Sequence, residues 1–262
     1  MINFDYHMHT TLSDGNNTHE EMILSAISKG LNEIGFSDHY CIKSPVPWGV
    51  DTDGIALLEK KVAEMKEKFG DRINILFGLE VDYFAELESE IGQVLKRFDF
   101  DYVIGSIHYL DDWNYDTDLS RYSEFTNDYL YDWYFRELQK AIKSGLFDYM
   151  AHPDLVKKHR IWPETPKTLL YRETAKIFAD SGVAFEVNTS GIDRPCGEFF
   201  PGAELLGELF QSGVPVTLGS DSHNSGQIGR YFDEAKEMLR ATGYQSLVRF
   251  NKRKRVIEPL SK

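Results

Sequence analysis

Two cysteines in 262 residues are too few for a disulfide framework, and Cys41 and Cys196 lack the paired spacing of a zinc knuckle or a redox motif. Both are expected to be reduced thiols with packing roles. Basic charge is scarce as well: 29 Lys and Arg stand against 42 Asp and Glu, a formal charge of −13. Holding nucleic acid by phosphate neutralisation needs a concentrated basic surface, so that class is set aside. No apolar run reaches membrane-spanning length, and the start Met1-Ile-Asn-Phe-Asp-Tyr-His has neither the basic segment nor the apolar core of a signal peptide. The expectation is a soluble, cytoplasmic protein with no membrane partner. No repeat and no Gly/Pro/Ser-rich linker interrupts the chain, so residues 1–262 read as one domain, with 42% hydrophobic residues to build its core. An acidic protein acting on an anion must concentrate positive charge locally, which bound metal ions would do.

What the chain does have is alternation. Short apolar segments at Ile2–Tyr6, Glu33–Ser37, Ile73–Leu79, Tyr102–Ser106, Asp148–Ala151, Ala184–Val187 and Val214–Gly219 read as strands. Periodic segments at Thr18–Lys29, Ile55–Phe69, Leu87–Arg97, Glu124–Lys143, Pro166–Ser181, Ala203–Gln211 and Tyr231–Ala241 read as helices. Thr18 and Glu21 form a capping-box pair, and Gly30 can close that helix. Seven β/α units predict an α/β fold with a mostly parallel sheet, a barrel in preference to an open sheet. The basic run Lys252–Arg255 reads as a solvated charged face rather than a nucleic-acid patch.

Polar residues fall where the strands end, which is the active-site rim of a β/α barrel. The first strand runs into His7-Met8-His9, the second into Asp38-His39, and the third into Glu80 and Asp82. The fourth gives His108, the fifth His152-Pro153-Asp154, the sixth Glu186 and Asn188, and the seventh Asp221-Ser222-His223. Six of the eight histidines lie within a few residues of a strand end. If such positions are roughly a tenth of the chain, chance would place about one there. His7 and His9, alternate residues of an extended segment, point to one side and can grip one ion together. Any one of these residues alone reads more simply as a hydrogen-bonded structural group. As a converging set, His7, His9, Glu80, His108, His152, Asp221 and His223, with Asp14 and His39, read as metal ligands. Imidazoles with carboxylates suit Zn, Mn or Fe. Asp38 and Asp82 adjoin ligands and read as supports for them, while Glu186 and Asn188 line the pocket floor. His19, just past its helix cap, reads as an exposed helix histidine.

Six motifs then occur in order: Asp5-Tyr6-His7-Met8-His9-Thr10 with Ser13-Asp14-Gly15, Phe36-Ser37-Asp38-His39, Gly78-Leu79-Glu80, Gly105-Ser106-Ile107-His108, Ala151-His152-Pro153-Asp154 and Gly219-Ser220-Asp221-Ser222-His223. Together they resemble the polymerase and histidinol phosphatase (PHP) superfamily over nearly the whole chain, and within it the histidinol-phosphate phosphatases. The resemblance implies a distorted, TIM-like (β/α)7 barrel with three divalent ions. One ion would lie among His7, His9, Glu80 and Asp221. Glu80 would bridge to a second on His108 and His152, and a third would take Asp14, His39 and His223. Asp14 stands where some branches of the superfamily have a histidine, and agrees with the histidinol-phosphatase branch. An editing role inside a larger polymerase is not expected, since the 262 residues read as one domain without a polymerase or nuclease segment.

The chemistry expected is hydrolysis of a small phosphate monoester, L-histidinol phosphate in histidine biosynthesis, by a hydroxide bridging two ions, with Glu80, Asp221 and His223 as catalytic groups. Arg160 and Arg194, in loops on the ligand side, are the expected phosphate contacts. His159, beside Arg160, reads equally as near the pocket or exposed. Asp221, His223 and Asp154 are not separable as the acid that assists the leaving alkoxide. The loop Tyr109–Tyr122, with Asp111, Asp112, Trp113, Tyr115, Asp116 and Asp118, can supply an acidic and aromatic wall for the amine and imidazole of histidinol. Three rivals remain: another phosphate ester such as a nucleotide at the same site, C–N hydrolysis, which usually employs a bridging lysine absent here, and a non-catalytic scaffold with closed coordination.

Overall fold

The computed structural model describes residues 3–43 and 46–260; Ile2, the first residue of the first expected strand, lies outside them. In chain order the elements are β1 (Phe4–Asp5), α1 (His19–Ser28), β2 (Glu33–Phe36), β3 (His39–Tyr40), α2 (Thr52–Phe69), β4 (Asn74–Phe77), β5 (Glu80–Asp82), α3 (Glu88–Leu95) and β6 (Ile104–Ser106). There follow β7 (Tyr109–Leu110), β8 (Trp113–Asn114), α4 (Asn127–Ser144), β9 (Tyr149–Met150), α5 (Thr168–Ser181), β10 (Ala184–Asn188), α6 (Ala203–Gln211), β11 (Val216–Gly219), α7 (Phe232–Thr242), β12 (Ser246–Asn251) and β13 (Lys254–Pro259).

The helices start where local chemistry favours it. Thr18 and Glu21 make the reciprocal capping box that opens α1, and the side chains of Asp51 and Thr126 accept from the first turns of α2 and α4. Gly145 and Gly182 end α4 and α5 in the left-handed region that glycine enters at little cost. The strands between them are buried on both faces, as parallel strands wrapped by helices must be.

Two of the seven expected strands, Glu33–Ser37 and Ile73–Leu79, are each followed by a break and a further short strand beyond their expected ends. β2 pairs Phe36 with Phe77 of β4, and β3 resumes by pairing His39 with Glu80 of β5. Both strands therefore skip two residues at the same level and keep register, giving two bent staves. Tyr102 fills the bend: its hydroxyl donates to Tyr6 O at 2.7 Å, and a Cβ on Gly35 or Gly78 would overlap its ring. The parallel order then runs β1, β2/β3, β4/β5, β6, β9, β10, β11. The ring closes through a parallel bridge of Met8 with Ser222, made by His9 N–H to Ser222 O at 2.8 Å and Ser222 N–H to His7 O at 3.1 Å. The result is a distorted (β/α)7 barrel.

Lys252–Arg255 are all exposed, as expected of a solvated charged face, and they have a structural place as well. These residues turn the antiparallel hairpin β12–β13, with Lys252 and Arg253 at positive φ. Phe250 of the hairpin is buried against Tyr149 at 5.3 Å and Tyr6 at 6.4 Å between ring centroids. Arg249 pairs with Glu33 and Glu258, and Arg253 N–H donates to Asp101 O while its Nε donates to Asp148. The hairpin thus closes the N-terminal end of the barrel, opposite the rim that carries the histidines.

Candidate metal centre

Glu80, the first residue of β5, is wholly buried and is the hub of the rim. Its Oε2 lies 3.1 Å from His7 Nε2, 3.4 Å from His9 Nε2 and 3.0 Å from His39 Nδ1. Its Oε1 lies 3.1 Å from His152 Nε2 and 3.8 Å from His108 Nε2. Asp221 Oδ1 is 3.7 Å from His7 Nε2 and 3.4 Å from His9 Nε2. On the outer side, Asp14 faces His223 Nε2 at 3.2 Å and His39 Nε2 at 3.7 Å. All nine residues expected as ligands are therefore brought together.

The donor set fits divalent cations on three counts. Atoms bound at about 2.0–2.2 Å to one tetrahedral ion stand roughly 3.3–3.6 Å apart, and the separations here, from 3.0 to 3.8 Å, lie on either side of that spacing. His7 Nε2, both ring nitrogens of His9, Glu80 Oε2 and His152 Nδ1 are buried with no hydrogen-bond partner among the described residues, a costly arrangement unless something else binds them. The field also favours cations. Burial works against a charged His7, yet Glu186, Glu80 and Asp221 carry it above its ordinary range; burial, then the charges of His39 and His223, push His9 down to about 4. Burial opposes ionised Glu80 and Asp221 too, but the surrounding imidazoles hold both carboxylates well below theirs.

A further layer orients the ligands. Glu186 Oε1 receives His7 Nδ1 at 2.9 Å and Asp82 Oδ1 receives His108 Nδ1 at 2.8 Å, which leaves each Nε2 free for the centre. Glu186 Oε2 also accepts from His152 N–H and from Asn188, and Asn188 and Ser190 reach Asp221 Oδ2. Gly219 is required because a Cβ there would overlap Glu186 Oε1. Asp38 accepts from Thr10 N–H at 2.7 Å and Ser13 Oγ at 2.6 Å, fixing the loop that presents Asp14. His152 and Asp221 sit at positive φ, backbone that non-glycine residues adopt at a cost and that aims both side chains inward.

The ligands open on a cavity of about 550 Å³, the size of a small-molecule site. Arg194 lines it and makes no side-chain bond to the described residues, whereas Arg160 is exposed, outside the cavity wall, and donates from Nε to Pro195 O. Of the loop 109–122, Asn114, Asp116 and Thr117 reach the wall; Asp112 faces outward to Lys43, and Tyr115 is buried beneath. His159 bonds Asp116 O rather than the centre. Asp154 is taken by the buried Lys157 ammonium at 3.0 Å and by Gly202 N–H. His19 is not exposed: it is 6% accessible and packed on Phe36, because the first turn of α1 lays it against β2. Sequence reasoning missed Trp48, Lys158 and Arg230 in the wall. Only Lys158, beside the strand-end motif of β9, left a trace by position; Trp48 and Arg230 lie in loops with no motif.

The model of the PHP domain matches residues 5–190. The chain belongs to the PHP family. Among relatives of this PHP chain, a protein of Deinococcus radiodurans named probable histidinol-phosphatase is 32% identical, covering 95% of this chain and 97% of that one. The histidinol-phosphatase of Bacillus subtilis is 27% identical over 87% of this chain and 96% of its own. The histidinol phosphate phosphatase of Lactococcus lactis subsp. lactis, whose crystal structure is a complex with Zn, L-histidinol and phosphate, superposes with TM-score 0.81 at 25% identity, covering 97% of this chain and 98% of that chain.

Proposed function

We propose that this PHP protein is a metal-dependent phosphatase that hydrolyses L-histidinol phosphate to L-histidinol and phosphate, a cytoplasmic step of histidine biosynthesis. The observation that carries the reading is the set of buried donor atoms around Glu80, in a chain of which 97% matches an enzyme crystallised with Zn, L-histidinol and phosphate. His7, His9, Glu80 and Asp221 would hold one ion, Glu80, His108 and His152 a second, and Asp14, His39 and His223 a third. Zn, Mn or Fe suits these donors.

Bound metal supplies an activated water and offsets charge on the phosphoryl group. The chain's own residues do the rest. Arg194, with its guanidinium uncommitted, binds phosphoryl oxygens and orients the ester for in-line attack. Asp221 and His223 line the cavity, and their part would be to hold ions beside the ester; Asp154 is committed to Lys157 and lies off the wall. Trp48 gives the wall an aromatic group suited to the imidazole of the alcohol, while Asp116, the acidic group the loop 109–122 brings there, is engaged by Lys158.

The test is metal analysis of the purified protein together with phosphate release from L-histidinol phosphate beside nucleotides and sugar phosphates, with His9→Ala as control. Selective turnover lost in the variant supports the reading. Turnover of a different ester moves the substrate, and no turnover of any ester by metal-loaded protein overturns the phosphatase.

A further inference from the structure

The segment Lys157-Lys158-His159-Arg160 follows β9 and carries four basic side chains, which the fold sends to four different fates. Lys157 is 2% exposed and its three ammonium hydrogens meet three acceptors, Asp154 Oδ2, Glu198 Oε2 and Phe199 O. His159 is spent on Asp116 O, and Arg160 leaves the rim for Pro195 O. Lys158 alone of the four lines the cavity.

Its hydrogen bonds leave something over. Nζ donates to Asp116 Oδ1 at 2.6 Å and to Asp116 O at 3.3 Å, and no third acceptor exists among the described residues, so one donor of the ammonium faces the cavity. Its side chain is only 13% exposed. Lys158 and Asp116 line the same cavity as His108 and His152. Arg230, another cation of the wall, is committed to Ser220 O, Asp221 O and Asp193. We propose that Lys158 donates its remaining N–H to a phosphoryl oxygen of the bound ester, with Asp116 as the post that holds the ammonium in place. This rests on the phosphatase reading above. Arg194 and Lys158, from the loops after β10 and β9, would then hold the phosphoryl group between them, and a carboxylate-lined cavity would accept an anion.

The test uses metal-loaded enzyme and two competitive inhibitors, inorganic phosphate and L-histidinol. Lys158→Met is expected to weaken inhibition by phosphate about 10- to 100-fold, the worth of one charge-assisted hydrogen bond, and to leave inhibition by L-histidinol within a few-fold. Lys158→Arg, which keeps a cationic donor, should retain most of the phosphate affinity. A Lys158→Met/Asp116→Asn double variant separates a donor from a mere counter-charge. Phosphate affinity that stays weak in it supports the proposal, and recovery to the wild-type value overturns it. Equal weakening toward both inhibitors in Lys158→Met, or unchanged phosphate inhibition, also overturns it. A wild-type enzyme that binds phosphate through Lys158 yet hydrolyses no histidinol phosphate would sink the substrate assignment and leave this contact standing.

Discussion

Glu186 Oε1 lies 2.9 Å from His7 Nδ1, and both side chains are fully buried. The carboxylate fixes the proton of His7 on Nδ1 and so turns the lone pair of Nε2 toward Glu80 and Asp221. Glu186→Gln keeps the shape but removes the charge, and can present an N–H where His7 donates. Metal affinity is expected to fall about 10- to 100-fold, with activity partly restored at high metal concentration. Metal titration of the variant, with folding followed by circular dichroism, checks this; unchanged affinity would show that Glu186 does not tune the ligand.

The donors differ in exposure: His7 and Glu80 are inaccessible, whereas the side chains of Asp14 and His223 are 32% and 24% exposed. An ion held by Asp14, His39 and His223 exchanges most readily. Timed chelation should remove it first, and Asp14→Ala should lose it while retaining the buried ions. Metal analysis along the chelation course decides the matter, since simultaneous loss of all metal contradicts an outer, weaker site.

His19 is buried on Phe36 with Nε2 unpartnered, and burial, the largest influence, holds its pKa below 6.5. The unfolded chain takes up a proton near that value which the folded chain refuses. This contribution to stability is therefore fully present above pH 6.5 and declines as pH falls below it, at no more than about 1.4 kcal/mol per pH unit. His19→Leu should lose less stability than the wild type between pH 7 and 5.5. Urea midpoints of both proteins at the two pH values give the difference; parallel losses would exclude His19 as the source.

Arg253 donates to Asp148 and to Leu146 O from the turn of the terminal hairpin. Arg253→Ala should cost about 1 kcal/mol, discounted for its partial exposure, while Lys254→Ala changes stability by less than about 0.5 kcal/mol. Turnover should be unaffected in both, because the hairpin sits at the far end of the barrel. Thermal unfolding and a single activity assay test the pair.

The barrel and the convergence of polar side chains on its rim were legible because they depend on local signals: apolar runs with β/α spacing, a capping box, and polar residues at strand ends. His7 and His9 share a side by the two-residue period of extended chain alone. Other features were hidden because they depend on neighbours distant in sequence. The hairpin β12–β13 turns on Lys252 and Arg253 at positive φ without a glycine or asparagine at those positions, and its burial appears only once Phe250 meets Tyr6 and Tyr149.

By itself the sequence determined the order of β/α units and which residues stand at their ends, since both follow from periodicity and side-chain chemistry. Only the tertiary structure decided which basic residue faces the cavity. Lys157, Lys158, His159 and Arg160 are indistinguishable as a charge run, and the acceptors that sort them, Asp154, Asp116 and Pro195, come from other parts of the chain or from a turn at positive φ. A cation's role is set by the hydrogen bonds it has left after packing, and those are fixed only when the loops after β8, β9 and β10 close on one another.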